Sequence, residues 1–188
     1  MFIRIPQVLG PERSAGIRMF AARRFGELNR PGWYLHKTVA QGPEALYVAP
    51  ELLQWLMASA SALALALGVP AFPVGEVEAQ LAVCSDGDML RQHVDNAEPE
   101  NSTRYLSWVY YAHPSPLRFR GGELVLLPHD RGPVALAPEG DTLVIFPSGL
   151  PHRVEVVRTL SSDVADARVA YSGWIRSSAP SSNARGRS

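Results

Sequence analysis

The spacing of apolar positions along this 188-residue chain changes character once, near residue 75. Before that point the spacing is helical. Ile17, Phe20, Ala21, Phe25 and Leu28 recur at intervals of three and four, which predicts an amphipathic helix from Pro11 to about Leu28. Arg13, Arg18, Arg23 and Arg24 mostly fall on its other, solvated side. A second helix is predicted over residues 50–67, with Pro50 in the first turn and Gly68 as the stop. Residues 2–8 read as a short strand. Beyond residue 75 the apolar runs shorten, fill with β-branched and aromatic residues, and are cut by Gly, Pro and Asp. They predict strands near 76–84, 90–94, 105–112, 122–127, 134–135, 142–146, 152–157 and 169–176. So many short strands with turn signals between them suggest a β-sandwich or jelly roll. The residues from Ser177 on are small and polar, which predicts a disordered tail over 177–188. The organisation is therefore one domain, 1–176, with a helical lead-in over 1–75 and a β-barrel over 76–176.

The stretch 52–75 contains no charged residue and is long enough to raise a membrane span. Its Ala and Ser content, Gln54, and the breaks at Gly68, Pro70 and Pro73 argue for a buried helix instead. Its flanks, Glu51 and Glu76, are acidic where membrane anchors are usually basic. The first residues lack the charged end and apolar segment of a signal peptide. With 18 basic and 18 acidic residues the formal net charge is zero. Nothing global then draws nucleic acid or an anionic membrane. Cys84 is the single cysteine, so no intrachain disulfide forms and a cytoplasmic location is the natural expectation.

Candidate chemistry sits in three stretches of the strand-rich half. His93 and Asp95 are two residues apart, so in a strand they share a face. His152 follows an apolar strand and a Pro-Ser-Gly-Leu-Pro turn, and begins the next strand. Two histidines and one carboxylate can fill one face of an iron(II) octahedron and leave three positions open. Arg168 begins a strand in which Ala170, Ser172 and Trp174 share its face. Turned inward, it would need an anion, because a buried guanidinium is costly unless paired. Each residue also has a plainer reading: an exposed strand end for His93 and Asp95, a structural histidine at 152, an outward arginine at 168. His36 lies in the helical half; His113 and His129 fall in turn sequences, which makes all three poorer ligands.

Taken together and in order, the motifs are His93-Val94-Asp95-Asn96, Arg104 to Tyr111, Phe119-Arg120-Gly121-Gly122-Glu123-Leu124, Phe146 to His152, and Arg168 to Ile175. The chain resembles in these the prolyl 4-hydroxylase-like iron(II)/2-oxoglutarate dioxygenases, over roughly residues 77–176. The resemblance implies a mainly β, α+β fold: a double-stranded β-helix (jelly roll) with amino-terminal helices packed on an outer sheet face. It implies His93, Asp95 and His152 as iron ligands and catalytic residues, and Arg168 as partner of the far carboxylate of 2-oxoglutarate. Tyr111 matches a strand tyrosine that assists this arginine, with Tyr110 on the other face; Trp174 would line the same pocket. Fe(II), 2-oxoglutarate as co-substrate and O2 are the implied cofactors, with ascorbate in support. One departure stands out. Many relatives carry a tyrosine where this chain has Cys84, in Cys84-Ser85-Asp86-Gly87. The resemblance then implies a missing hydrogen bond and a roomier pocket there; the plainer reading of Cys84 is a small buried core residue.

The implied activity is hydroxylation of an unactivated C–H bond, coupled to decarboxylation of 2-oxoglutarate to succinate and CO2. The substrate class is prolyl or amino-acid-like, or a small natural product, either free or in a peptide. Loops 96–103, 113–120 and 128–141 would decide it. The alternative is a non-catalytic, cupin-like barrel that binds a metal or small molecule, and Arg168 discriminates, since a simple metal binder has no use for it.

Overall fold

The computed structural model describes residues 1–27, 37–114 and 116–178. The expected end of the first helix at Leu28, His36, and all of the predicted tail beyond Ser178 lie outside the described residues.

Two antiparallel sheets form the framework of the fold. The larger has six strands: β1 (Ile3–Pro6), β2 (Lys37–Gln41), β3 (Val74–Cys84), β5 (Arg104–Tyr111), β9 (Thr142–Pro147) and β12 (Arg168–Ser177), in the order β1-β9-β5-β12-β3-β2. The smaller has four: β4 (Leu90–His93), β7 (Leu124–Leu126), β8 (Val134–Leu136) and β10 (His152–Val154), in the order β4-β10-β7-β8. β6 (Phe119–Arg120) and β11 (Arg158–Thr159) form a separate ribbon. The helices are α1 (Gly10–Glu27), the one-turn α2 (Pro43–Leu46) and α3 (Pro50–Leu67).

The period-2 pattern of the central strands sorts their side chains into two apolar layers. One face of the larger sheet supplies Leu81, Trp108, Tyr110, Ile145 and Tyr171 to a cluster that also holds Ile17 of α1 and Leu52, Leu56, Leu63 and Leu67 of α3. Burying each such leucine contributes about 1.5–3 kcal/mol. The other face supplies Val109, Tyr111, Val144, Phe146 and Ala170, which meet Leu124, Leu126 and Val154 of the smaller sheet. The inter-sheet layer is where the cavity described below lies.

Local features hold the helices in place. Asp141, at φ 53°, accepts hydrogen bonds from the backbone N–H groups of Leu9 (2.8 Å) and Gly10 (3.0 Å), capping the start of α1. The same carboxylate accepts from the Tyr110 hydroxyl at 2.9 Å, and that hydroxyl also meets Ser14 of α1. α3 ends as the sequence predicts, on Gly68 in the left-handed conformation at φ 69°. By length and composition α3 is apolar enough to cross a membrane, yet its leucines at 52, 53, 56, 63 and 67 are buried in the core.

The structure corrects several expectations. β1 forms within the strand expected over residues 2–8, but a second strand before residue 75, β2, is not expected from the sequence and joins the larger sheet. β2 is a five-residue edge strand, too short for a periodic signal, and its pairing with β3 settles its conformation. The expected strand 152–157 stops at Val154 as β10, and the next strand, β11, begins only at Arg158 and pairs with β6 instead of the smaller sheet. The end strand extends through Ser177, so that residue is not part of a tail.

Candidate metal centre and anion pocket

β4 and β10 run antiparallel with His93 directly opposite His152, and their ring centroids lie 4.2 Å apart. Asp95 is not on the strand. β4 stops at His93, and Asp95 sits in the following turn, so strand alternation is not what aims it. Its backbone N–H donates to the Ser148 carbonyl at 3.1 Å. Its Oδ2 accepts from the Ser107 hydroxyl at 2.5 Å, and Ser107 in turn meets the Ser148 hydroxyl at 2.9 Å. The turn before His152 and the start of β5 thus fix the carboxylate.

The three donor atoms converge. His93 Nε2 lies 3.3 Å from Asp95 Oδ1, and His152 Nε2 lies 3.6 Å from Asp95 Oδ2; all three lie within 4.8 Å of one another. An octahedral ion with bonds of about 2.1 Å separates neighbouring ligands by about 3 Å, so the set is close to a ligating face. The tautomers suit it too. His93 Nδ1 is 2.8 Å from the Arg91 carbonyl and His152 Nδ1 is 2.9 Å from the Leu150 carbonyl. A carbonyl only accepts, so each Nδ1 carries a proton and each Nε2 lone pair is free to face an ion.

The electrostatics agree with the geometry. Burial works against ionisation of Asp95, but the hydrogen bond with His93, the charge of His152, Ser107 and the Trp174 indole together bring its pKa down to about 2. Burial lowers the pKa of His152, which favours neutral imidazole. The hydrogen bond with Asp95 raises that of His93 against a smaller effect of burial. A cation between the three would take over the work that a proton on His93 does for Asp95.

Arg168 begins β12 and is only 4% exposed. Its Nε donates to the Gly122 carbonyl at 3.0 Å, and its NH1 approaches Cys84 Sγ at 3.9 Å. Among the described residues no carboxylate pairs with it. It sits 5.2 Å from the Tyr111 ring centroid, and the fully buried Tyr111 hydroxyl has no hydrogen-bond partner among the described residues. A guanidinium buried without a carboxylate partner, beside a phenol hydroxyl, forms a site for an anion. Gly122 makes the approach possible: at φ 71°, a Cβ there would stand 2.8 Å from Arg168 Cδ.

One cavity of about 100 Å³ joins the two sets, lined by His93, Asp95 and His152, by Arg168 and Tyr111, and by Trp174. Phe146 closes on the His152 ring edge to face at 4.8 Å. The outer face of Trp174 carries the Arg104 guanidinium at 3.5 Å from its ring centroid, and Glu78 holds that guanidinium at 2.8 Å. The structure thus brings all six sequence-predicted site residues around one space. Sequence reasoning missed Ser107, Ser148 and Gly122. Ser107 did carry a signal, as a polar residue in the inward register of an apolar strand. His113 is not the exposed turn residue its sequence suggests. It is buried, stacks on Tyr111 at 5.7 Å and meets Phe119 at 4.9 Å, while neither ring nitrogen finds a hydrogen-bond partner among the described residues. Burial and the Arg168 charge hold its pKa well below the usual range.

Comparison with known proteins gives a consistent picture. The family model of the 2OG-Fe(II) oxygenase superfamily matches residues 79–176. An uncharacterized PKHD-type hydroxylase from Synechocystis sp. is 30% identical over 115 residues, covering 56% of this chain and 38% of that relative. The chain thus spans well under half the length of the curated relative it matches. The crystal structure of a Pseudomonas putida prolyl-4-hydroxylase superposes with a TM-score of 0.69 at 22% identity, covering 95% of this chain and 93% of that one. A prolyl hydroxylase from Trichoplax adhaerens, in complex with a hypoxia inducible factor oxygen degradation domain peptide fragment, gives 0.71 at 18% identity, covering 93% and 83%.

Proposed function

We propose, from the premise that this chain belongs to the 2OG-Fe(II) oxygenase superfamily, that it is a hydroxylase in which His93, Asp95 and His152 hold iron(II) and Arg168 holds 2-oxoglutarate. The two facing sheets then form a double-stranded β-helix with α1 and α3 against its outer face. Iron bound there, with 2-oxoglutarate and dioxygen, supplies oxidation of an unactivated C–H bond coupled to decarboxylation to succinate and CO2, and ascorbate supports it.

The protein's own part is positional and electrostatic. The Arg91 and Leu150 carbonyls present the two Nε2 atoms. Ser107 and Trp174 keep Asp95 ionised and aimed. Arg168 and the Tyr111 hydroxyl take the far carboxylate of the co-substrate, setting its other end toward the metal. Leu124, Phe146 and Val154 keep the cavity apolar and exclude water. The single observation that carries this reading is the buried arginine without a carboxylate partner, in the same cavity as a His-Asp-His ligand set. A barrel that only bound a metal would gain nothing from burying that charge.

The substrate is proposed to be prolyl or amino-acid-like, free or within a peptide, or a small natural product. The peptide bound to the Trichoplax enzyme supports the first class. The test is succinate release from 2-oxoglutarate by the iron-loaded protein in air, with and without candidate substrates. The expected result is iron-dependent succinate, stimulated by the true substrate. Succinate formation independent of added iron in metal-stripped protein would contradict the assignment.

A further inference from the structure

The walls around the Arg168 guanidinium are unequal. On one side the fit is tight. Nε is fixed by the Gly122 carbonyl, and Arg168 Cδ lies so close to Gly122 that no Cβ fits between them. On the other side its NH1 meets the Cys84 sulfur, with the Tyr111 ring 5.2 Å away. Cys84 stands directly across from Arg168 in the β3–β12 register, and its Sγ is 3.9 Å from NH1. The next cross-strand pair on this face is Ala82 with Ala170, and both line the cavity. Three small side chains therefore make up this wall. The thiol is buried and stays protonated, since burial pushes its pKa up. It neither competes with a carboxylate for Arg168 nor donates a strong hydrogen bond to one. Tyr111, buried and with its hydroxyl unpartnered, faces the same space.

A dicarboxylate bound between a metal and a guanidinium is measured by length, and the measurement is strict only where both ends are rigid. Here the metal end is rigid. The arginine end is rigid at Nε and soft toward Cys84, where NH1 meets a polarisable sulfur. We infer that Cys84 relaxes the length selectivity of the co-substrate pocket, so that it takes the six-carbon 2-oxoadipate as well as 2-oxoglutarate. The inference rests on the co-substrate reading above. It names Cys84 as a specificity-determining residue, acting through the space it leaves.

The test is anaerobic calorimetric titration of the iron(II)-loaded protein with each acid. Pockets that count methylenes strictly discriminate by roughly 10–200-fold per carbon. The wild-type protein is expected to bind the two acids with dissociation constants within about tenfold of each other. Cys84→Leu fills the soft wall, and it should weaken 2-oxoadipate at least about tenfold more than 2-oxoglutarate. Cys84→Ala should leave their ratio unchanged. Retained 2-oxoglutarate binding by the leucine variant shows that it is folded; if it does not fold, the wild-type ratio and the alanine variant decide the matter. A wild-type ratio of about 100 or more overturns the inference while leaving the oxygenase reading intact. So does a Cys84→Leu variant that weakens both acids equally. If wild-type protein binds neither acid, both readings fall together.

Discussion

Arg168→Ala should raise the 2-oxoglutarate concentration needed for half-maximal turnover by a large factor while leaving iron binding nearly unchanged. In the proposed assignment Arg168 touches the far carboxylate and not the metal. Its guanidinium is buried, with Gly122 and Cys84 as neutral neighbours, so in that assignment the co-substrate supplies the charged partner that no carboxylate among the described residues provides. Truncating one member of a buried, hydrogen-bonded charge pair costs about 2–5 kcal/mol. At 1.4 kcal/mol per factor of ten, that is about 30-fold to several thousand-fold. Arg168→Lys should fall between, since an ammonium keeps the charge and loses the planar two-pronged geometry. It also loses the Nε bond to Gly122. The measurement is 2-oxoglutarate consumption against its concentration, with iron binding followed separately. An unchanged 2-oxoglutarate requirement in Arg168→Ala would remove the reason for reading the pocket as a co-substrate site.

His152→Ala should abolish oxidation and release the iron. The side chain is 5% exposed, faces Asp95 at 3.6 Å and packs beneath Phe146. Without it two ligands remain, His93 and Asp95. Losing an outer-shell partner of a ligand already weakens metal sites by about 10–100-fold, and losing the ligand itself should exceed that. The check is iron retained after anaerobic desalting, with the melting temperature as control for folding. Full activity of His152→Ala at limiting iron would refute the ligand assignment.

The candidate site residues were legible in the sequence, because their residue types, their order and their flanking strands are local. His152 at a strand start and Arg168 at the head of an alternating strand could be placed from periodicity alone. What joins them is not local. Asp95 reaches the site from a turn held by Ser107 and Ser148, which lie 12 and 41 residues apart from their partners along the chain. No pattern around Asp95 announces that turn. β2 escaped notice for the same reason, since it is a strand only because β3 offers it an edge. His113 shows the opposite failure. Its Ala-His-Pro-Ser-Pro context reads as an exposed turn, yet tertiary packing against Tyr111 and Phe119 buries it. Cys84 was visible as a departure from the related sequences, but its contact with Arg168 depends on the β3–β12 register.

In the proposed function one cavity joins an iron(II) site to a 2-oxoglutarate site. Anaerobic titration of the protein with iron(II) and then 2-oxoglutarate tests it most directly. Chelation of iron by the keto and carboxylate oxygens gives a visible metal-to-ligand charge-transfer band. The account predicts a band that grows with 2-oxoglutarate, saturates at one equivalent of iron, and is lost in His152→Ala. A protein that binds iron but shows no band at saturating 2-oxoglutarate would contradict it.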